Sequence, residues 1–154
     1  MKINETDIHA AEVQLIYKSR VPAAKRTTIR CSQDAFNVFW DSWNTETIEH
    51  HEEFKVILLN NKNSVLGIAE ISKGGTSSTI IDPRIIFQYA LKAHASAIII
   101  GHNHPSSNTV PSESDVNITK KLTEAGRLLE VSVLDHIILC ADKTYYSLSD
   151  EERM

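Results

Sequence analysis

The spacing of apolar residues changes several times along the chain, and each change predicts an element. After a polar arm over residues 1–11, Val13-Gln14-Leu15-Ile16-Tyr17 reads as a short strand, and Thr27-Thr28-Ile29-Arg30 as a second. Ser32 is placed to cap a helix with apolar positions Ala35, Phe36, Val38, Phe39, Trp40 and Trp43, ending near Asn44. A polar run to His51 leads into Glu52–Leu59, a strand that becomes fully apolar toward its end. Asn60–Asn63 is a turn, and Ser64–Ser72 returns as the hairpin partner.

Gly74-Gly75-Thr76-Ser77-Ser78 then punctuates the chain before a helix capped by Asp82, with Pro83 at its first position and Ile85, Ile86, Tyr89, Ala90 and Ala93 at helical spacing. Ser96–Ile100 has no polar face and predicts a strand buried on both sides. A helix from Ser112 to about Gly126 carries the stripe Ile118, Leu122, Ala125 and Leu129. Val131–Cys140 is another strand, and Tyr145–Leu148 a short last one. Three helices among six or seven strands, with hairpins and helix–strand connections mixed, predict a single α/β domain whose mixed sheet is flanked by helices.

Composition adds bounds. A hydrophobic fraction of 42% and a charged fraction of 23% over 154 residues suit one globular soluble domain with a real core. No apolar run approaches the ~20 residues that span a bilayer. The N-terminus lacks the apolar stretch of a signal peptide, so a cytoplasmic location without membrane contact is expected. Cys31 and Cys140 match no metal or redox spacing and read as free buried thiols. A formal charge of -4 gives no overall attraction to nucleic acid. The local run Lys18, Arg20, Lys25, Arg26, Arg30 reads as a solvated loop, with a phosphate-contacting edge as the alternative.

The chemistry concentrates in Gly101-His102-Asn103-His104-Pro105 and in Ser112-Glu113-Ser114-Asp115. Histidines at i and i+2 of an extended segment project to one side, so both imidazoles can reach one ion. Two imidazoles and a carboxylate are the ligand set of a catalytic zinc that keeps its fourth position open. Asp115 competes for a second role, because Ser-x-x-Asp before an apolar run is also a helix-capping box. Its place near the apolar stripe turns the carboxylate toward the sheet and favours the ligand.

The string His102-Asn103-His104-Pro105-Ser106, with Ser112 and Asp115 at the spacing His-x-His-x(10)-Asp, resembles the JAMM signature of MPN/JAB-domain metalloproteases. Together with Pro111-Ser112 and Leu134-Asp135-His136-Ile137-Ile138 it resembles the RadC branch of that family. The resemblance covers roughly Ile29 to Leu148, giving residues 1–28 as an N-terminal arm with a first strand and residues 29–150 as an MPN/JAB-like domain, layered like cytidine deaminase. There are two departures. Ser107 stands where RadC-like sequences usually carry glycine. Full-length RadC proteins also carry an N-terminal helix-hairpin-helix region for which this sequence leaves no room.

The resemblance implies one Zn(2+) per chain on His102, His104 and Asp115, with Glu52 as general base and Ser112 as the group that stabilises the oxyanion, a role typically worth about 3 kcal/mol. The expected reaction is hydrolysis of a peptide or isopeptide bond in a peptide or protein substrate. A DNA-repair-associated module, either a metal-dependent nuclease or a non-catalytic interaction domain, is the competing class. Alternation also selects Glu52, placing it on the face of Phe54, Val56 and Leu58, where it is partly desolvated. Glu53 shares the opposite face with Lys55 and is expected to stay solvated, and Glu70 has no motif support. His50 and His51 are expected to be exposed, His9 and His94 have no partners in sequence, and His136 reads as a core histidine or as a group lying behind the metal.

Overall fold

The computed structural model describes residues 11–14, 16–74 and 81–154. Among them, a 3-10 turn at Ala23–Lys25 precedes α1 (Ser32–Ser42), β1 (Glu53–Leu59), β2 (Val65–Lys73), α2 (Pro83–Lys92), β3 (Ala97–Asn103), α3 (Glu113–Leu128), β4 (Ser132–Leu139) and β5 (Tyr145–Ser147). The strands form one sheet in the order β2-β1-β3-β4-β5. All neighbours are antiparallel except β3 and β4, which α3 joins as a crossover. The result is the mixed α/β sheet flanked by helices that the periodicity predicts.

Alternation along β1 and β3 divides the core between the two faces of the sheet. Val56, Leu58, Ile98 and Ile100 pack with Ile86, Phe87 and Ala90 of α2 and Leu122 of α3. Ile57, Leu59 and Ile99 face the other way, against Ala35, Phe36 and Phe39 of α1. Burial of each large side chain of this kind contributes about 1.5–3 kcal/mol. Helices therefore cover both faces, and β1 and β3 are buried along their whole length.

Local chemistry sets the connections. In the β1–β2 turn, the Asn60 side chain accepts from the amides of Lys62 and Ser64, while Asn63 takes φ 56°. Asp82 caps α2 through the Arg84 amide, and Pro83 opens that helix.

Several expectations are corrected. Val13, Gln14, Ile16 and Tyr17 form no strand, because no sheet neighbour reaches them; the segment is tied to the sheet by the Tyr17 hydroxyl, which donates to the Leu66 carbonyl. Thr27–Arg30 contributes one isolated bridge, Thr28 to Ser64. Cys31, not Ser32, occupies the cap of α1, and the Ser32 hydroxyl instead meets Asp150 and Tyr145. Cys31 is exposed, and of the two thiols Cys140 alone is buried. Leu129 ends the stripe of α3 as its C-cap, 40% exposed. The arm over residues 1–10 and most of the glycine-rich loop, residues 75–80, lie outside the described residues.

Candidate metal centre

The site forms where β3 and β4 end against the N-terminus of α3. Phe54 pairs with His102 across β1 and β3. Its ring lies 6.1 Å from that of His102 and 5.8 Å from that of His136. His104 has the parity of His102 and stands one residue beyond β3, with its amide donating to the Leu139 carbonyl. The loop then turns back as the Ser107 amide donates to the His104 carbonyl, with Ser107 at φ 58°. That is the left-handed region where glycine carries no penalty, the physical counterpart of the glycine that RadC-like sequences place there.

The candidate ligand atoms converge. His102 Nε2 lies 2.9 Å from His104 Nε2 and 3.3 Å from Asp115 Oδ1, and His104 Nε2 lies 3.5 Å from Asp115 Oδ2. A tetrahedral ion with bonds of ~2.0–2.1 Å separates its ligands by about 3.3 Å, the scale of these separations. All three residues can offer one ligand atom within a span of 4.8 Å.

The hydrogen bonds around the cluster show which nitrogens are free. The Thr119 hydroxyl donates its only proton to the Asp115 carbonyl at 2.6 Å, so at 2.6 Å from His136 Nδ1 it must accept. A neutral His136 with its proton on Nδ1 presents a bare Nε2, which accepts from His102 Nδ1 at 2.7 Å. His104 Nδ1 donates to the Asn108 carbonyl. With each Nδ1 engaged elsewhere, both histidines turn Nε2 toward each other and toward a carboxylate. Such a cluster attracts positive charge: a proton on one Nε2, or a cation in its place.

The electrostatics agree. Burial would raise the Asp115 carboxyl, but His102, His104 and Ser112 hold it well below the usual carboxylate range. Burial would lower His104, but Asp115, the Asn108 carbonyl and Glu52 raise it above the ordinary histidine value. His136 is fully buried, and this together with the nearby His102 drives it well below that value, so it stays neutral.

Asp115 forms the capping box and still turns one oxygen toward His102. Ser112 Oγ accepts from the Asp115 amide at 3.1 Å, and Asp115 Oδ2 accepts from the Ser112 amide and hydroxyl, each at 2.7 Å, which completes the capping box. Oδ1 has none of these bonds and faces His102. Glu52, His104, Asn108, Val110 and Ser112 line one open cavity of about 290 Å³. Sequence reasoning missed Thr119, whose spacing of i+4 from Asp115 on the buried side of α3 was the available signal.

Glu53 corrects its expectation outright. It is 2% exposed, because His51, Lys55 and Lys73 gather around its carboxylate and its amide donates to the Asn103 side chain. Its carboxylate lies 2.8 Å from His51 Nε2, 3.2 Å from Lys73 Nζ and 3.5 Å from Lys55 Nζ. Burial would raise its pKa, but these partners lower it. His51 is accordingly half-buried, whereas His50 is exposed as expected. Asp135 lies on the α1 face, away from the metal cluster, held by the Ser147 hydroxyl and the Ser149 amide; burial raises its pKa despite these donors.

Fold and cluster together define an α/β domain of the MPN/JAB kind with a two-histidine, one-aspartate cluster of the JAMM type. The family model described as the RadC-like JAB domain matches residues 29–154, and the chain belongs to that family. A UPF0758 protein of Flavobacterium johnsoniae is 48% identical over 101 residues, covering 66% of this chain and 44% of the relative. One from Alkaliphilus metalliredigens is 48% identical over 103 residues, 67% of this chain and 44% of the relative. One from Desulforamulus reducens is 38% identical over 131 residues, 85% of this chain and 56% of the relative. The chain spans about half the length of these curated relatives. Among the described residues no helix is long and apolar enough to cross a membrane.

Proposed function

We propose that this chain is a zinc-dependent hydrolase of the JAMM type, which cleaves a peptide or isopeptide bond with one zinc held by His102 Nε2, His104 Nε2 and Asp115 Oδ1. The observation that carries this reading is the convergence of two imidazole Nε2 atoms, each with its Nδ1 bonded elsewhere, and a carboxylate oxygen. When bound, zinc supplies a water acidic enough to ionise near neutral pH and polarises the scissile carbonyl.

The chain's own groups would do the rest. Glu52 shares the cavity with His104 and Ser112, which suits its carboxylate to accept the proton of the attacking water and return it to the leaving nitrogen. Ser112 Oγ borders the same cavity, and rotating its proton from Asp115 Oδ2 toward the substrate would let it donate to the developing oxyanion. Phe54 behind His102 keeps water off the inner side of the cluster. The basic run Lys18–Arg30 is an exposed loop with no visible link to this cavity, so the nuclease reading gains no support.

The test is elemental analysis of wild type and His102→Ala, followed by incubation of the zinc-loaded protein with a panel of peptides and isopeptide-linked conjugates. We expect about one zinc in wild type, little in the variant, and cleavage that a chelator abolishes. Equal metal in both proteins would overturn the site.

A further inference from the structure

We infer that Thr119, acting through His136, fixes which nitrogen of His102 carries the proton and so keeps the metal-facing nitrogen bare; this deepens the zinc reading and rests on it only for its functional consequence. Thr119 Oγ1 lies 2.6 Å from a group that can only accept. A carbonyl oxygen cannot donate, so the Thr119 hydroxyl gives its proton to the Asp115 carbonyl. Every further bond inherits its direction from that one. His136 Nδ1 donates to Thr119 Oγ1, and His136 Nε2 accepts from His102 Nδ1.

Both Thr119 and His136 are completely buried, so water is excluded as a substitute partner at either position. The chain of bonds starts at the peptide carbonyl of one ligand residue, Asp115, and ends on the imidazole of another, His102. It crosses from α3 through β4 to β3, three elements that the sequence separates, and it therefore also holds the two ligands in register. Thr119 and His136 are positioning residues: neither offers an atom to the cluster of ligand atoms.

Removing the hydroxyl would free His136 Nδ1 from its acceptor. The His136 proton could then move to Nε2 and donate to His102 Nδ1, and His102 would carry its own proton on Nε2, at the place the ion takes. Partners of this kind typically govern metal affinity by about 10–100-fold.

The experiment uses the full chain. Long-range proton–nitrogen spectra of the imidazoles, recorded on the zinc-free protein at alkaline pH, should show His102 as the Nδ1–H tautomer in wild type and in Thr119→Ser. In Thr119→Val, which keeps the shape and loses the hydroxyl, the Nε2–H form should appear. Competition against a chelator, with zinc as the probe, should give Thr119→Val a Kd about 10–100-fold weaker than wild type, with Thr119→Ser close to wild type. A purely structural role would lower stability in Thr119→Val and leave both the tautomer and the Kd alone, and that result overturns the inference. Wild type that shows the Nδ1–H tautomer but takes up no zinc would defeat the zinc reading and leave the relay supported. If Thr119→Val does not fold, the wild-type spectrum decides: His102 in the Nε2–H form overturns the relay.

Discussion

The Asn103 side chain accepts from the Glu53 amide at 2.7 Å, which ties the strand between the two candidate ligand histidines to the first residue of β1. Asn103 Nδ2 donates to the carbonyls of Ile48 at 2.7 Å and His51 at 2.9 Å. Asn103 is completely buried and, by strand parity, points away from His102 and His104. It clamps the turn that delivers Glu52 to the cavity. Asn103→Ala should lose about 3 kcal/mol of stability, since it leaves three backbone groups without their partner. Asn103→Asp should fare no better, because it replaces two donors with a buried charge. Urea unfolding of the zinc-free proteins is the measurement, and a loss under about 1 kcal/mol would show that the clamp is dispensable.

Glu52 and Glu53 should separate cleanly. Glu52→Gln is expected to keep fold and zinc and to lose hydrolysis by a factor of ~100 or more. Glu53→Gln is expected to be a stability variant, costing about 2 kcal/mol at neutral pH by weakening a buried ion-pair network. The sign of its pH dependence follows from the lowered pKa of Glu53. The stabilisation is fully present above the ordinary value of 4.5 and fades as pH falls through the depressed folded value. The gap between wild type and Glu53→Gln should therefore narrow in acid, and a gap that widens would contradict the network.

Asp115 can be dissected by substitution, since Oδ2 closes the capping box while Oδ1 lies outside it and faces His102. Asp115→Ala should cost on the order of 1 kcal/mol in the zinc-free protein and abolish tight zinc binding. Asp115→Asn should keep most of the cap, through its side-chain oxygen, yet still bind zinc poorly. Paired thermal melts and metal titrations would show it, and full zinc retention by Asp115→Ala would refute the ligand role.

Ser107 offers a stabilising change. Its φ of 58° carries a penalty for any residue with a Cβ, so Ser107→Gly should gain up to about 1 kcal/mol. A lower melting temperature in this variant would show that the hydroxyl or the Cβ contributes more than the backbone strain removes.

Gly101 precedes His102 and faces α1, where an added Cβ would lie 2.7 Å from Phe39 Cε2. Phe39 is fully buried and cannot swing clear. Gly101→Ala should cost about 1–3 kcal/mol through overpacking. Retention of wild-type stability would mean that α1 can lift from the sheet more easily than its packing implies.

Much was legible in the sequence because it depends on short-range geometry. Period 2 placed His102 and His104 on one side of the chain; period 3.6 placed Asp115 on the sheet side of α3; and Asp82-Pro83 opened α2 where its chemistry required. Pairing and covering were not legible, because they depend on what packs against a segment. Val13, Gln14, Ile16 and Tyr17 have the composition of a strand but pair with no strand among the described residues, and Glu53 has the composition of a surface residue but is buried among His51, Lys55 and Lys73. The proton order from Thr119 through His136 to His102 joins residues up to 34 positions apart. Only the folded chain, which brings α3, β4 and β3 together with water excluded, decides the direction in which those bonds run.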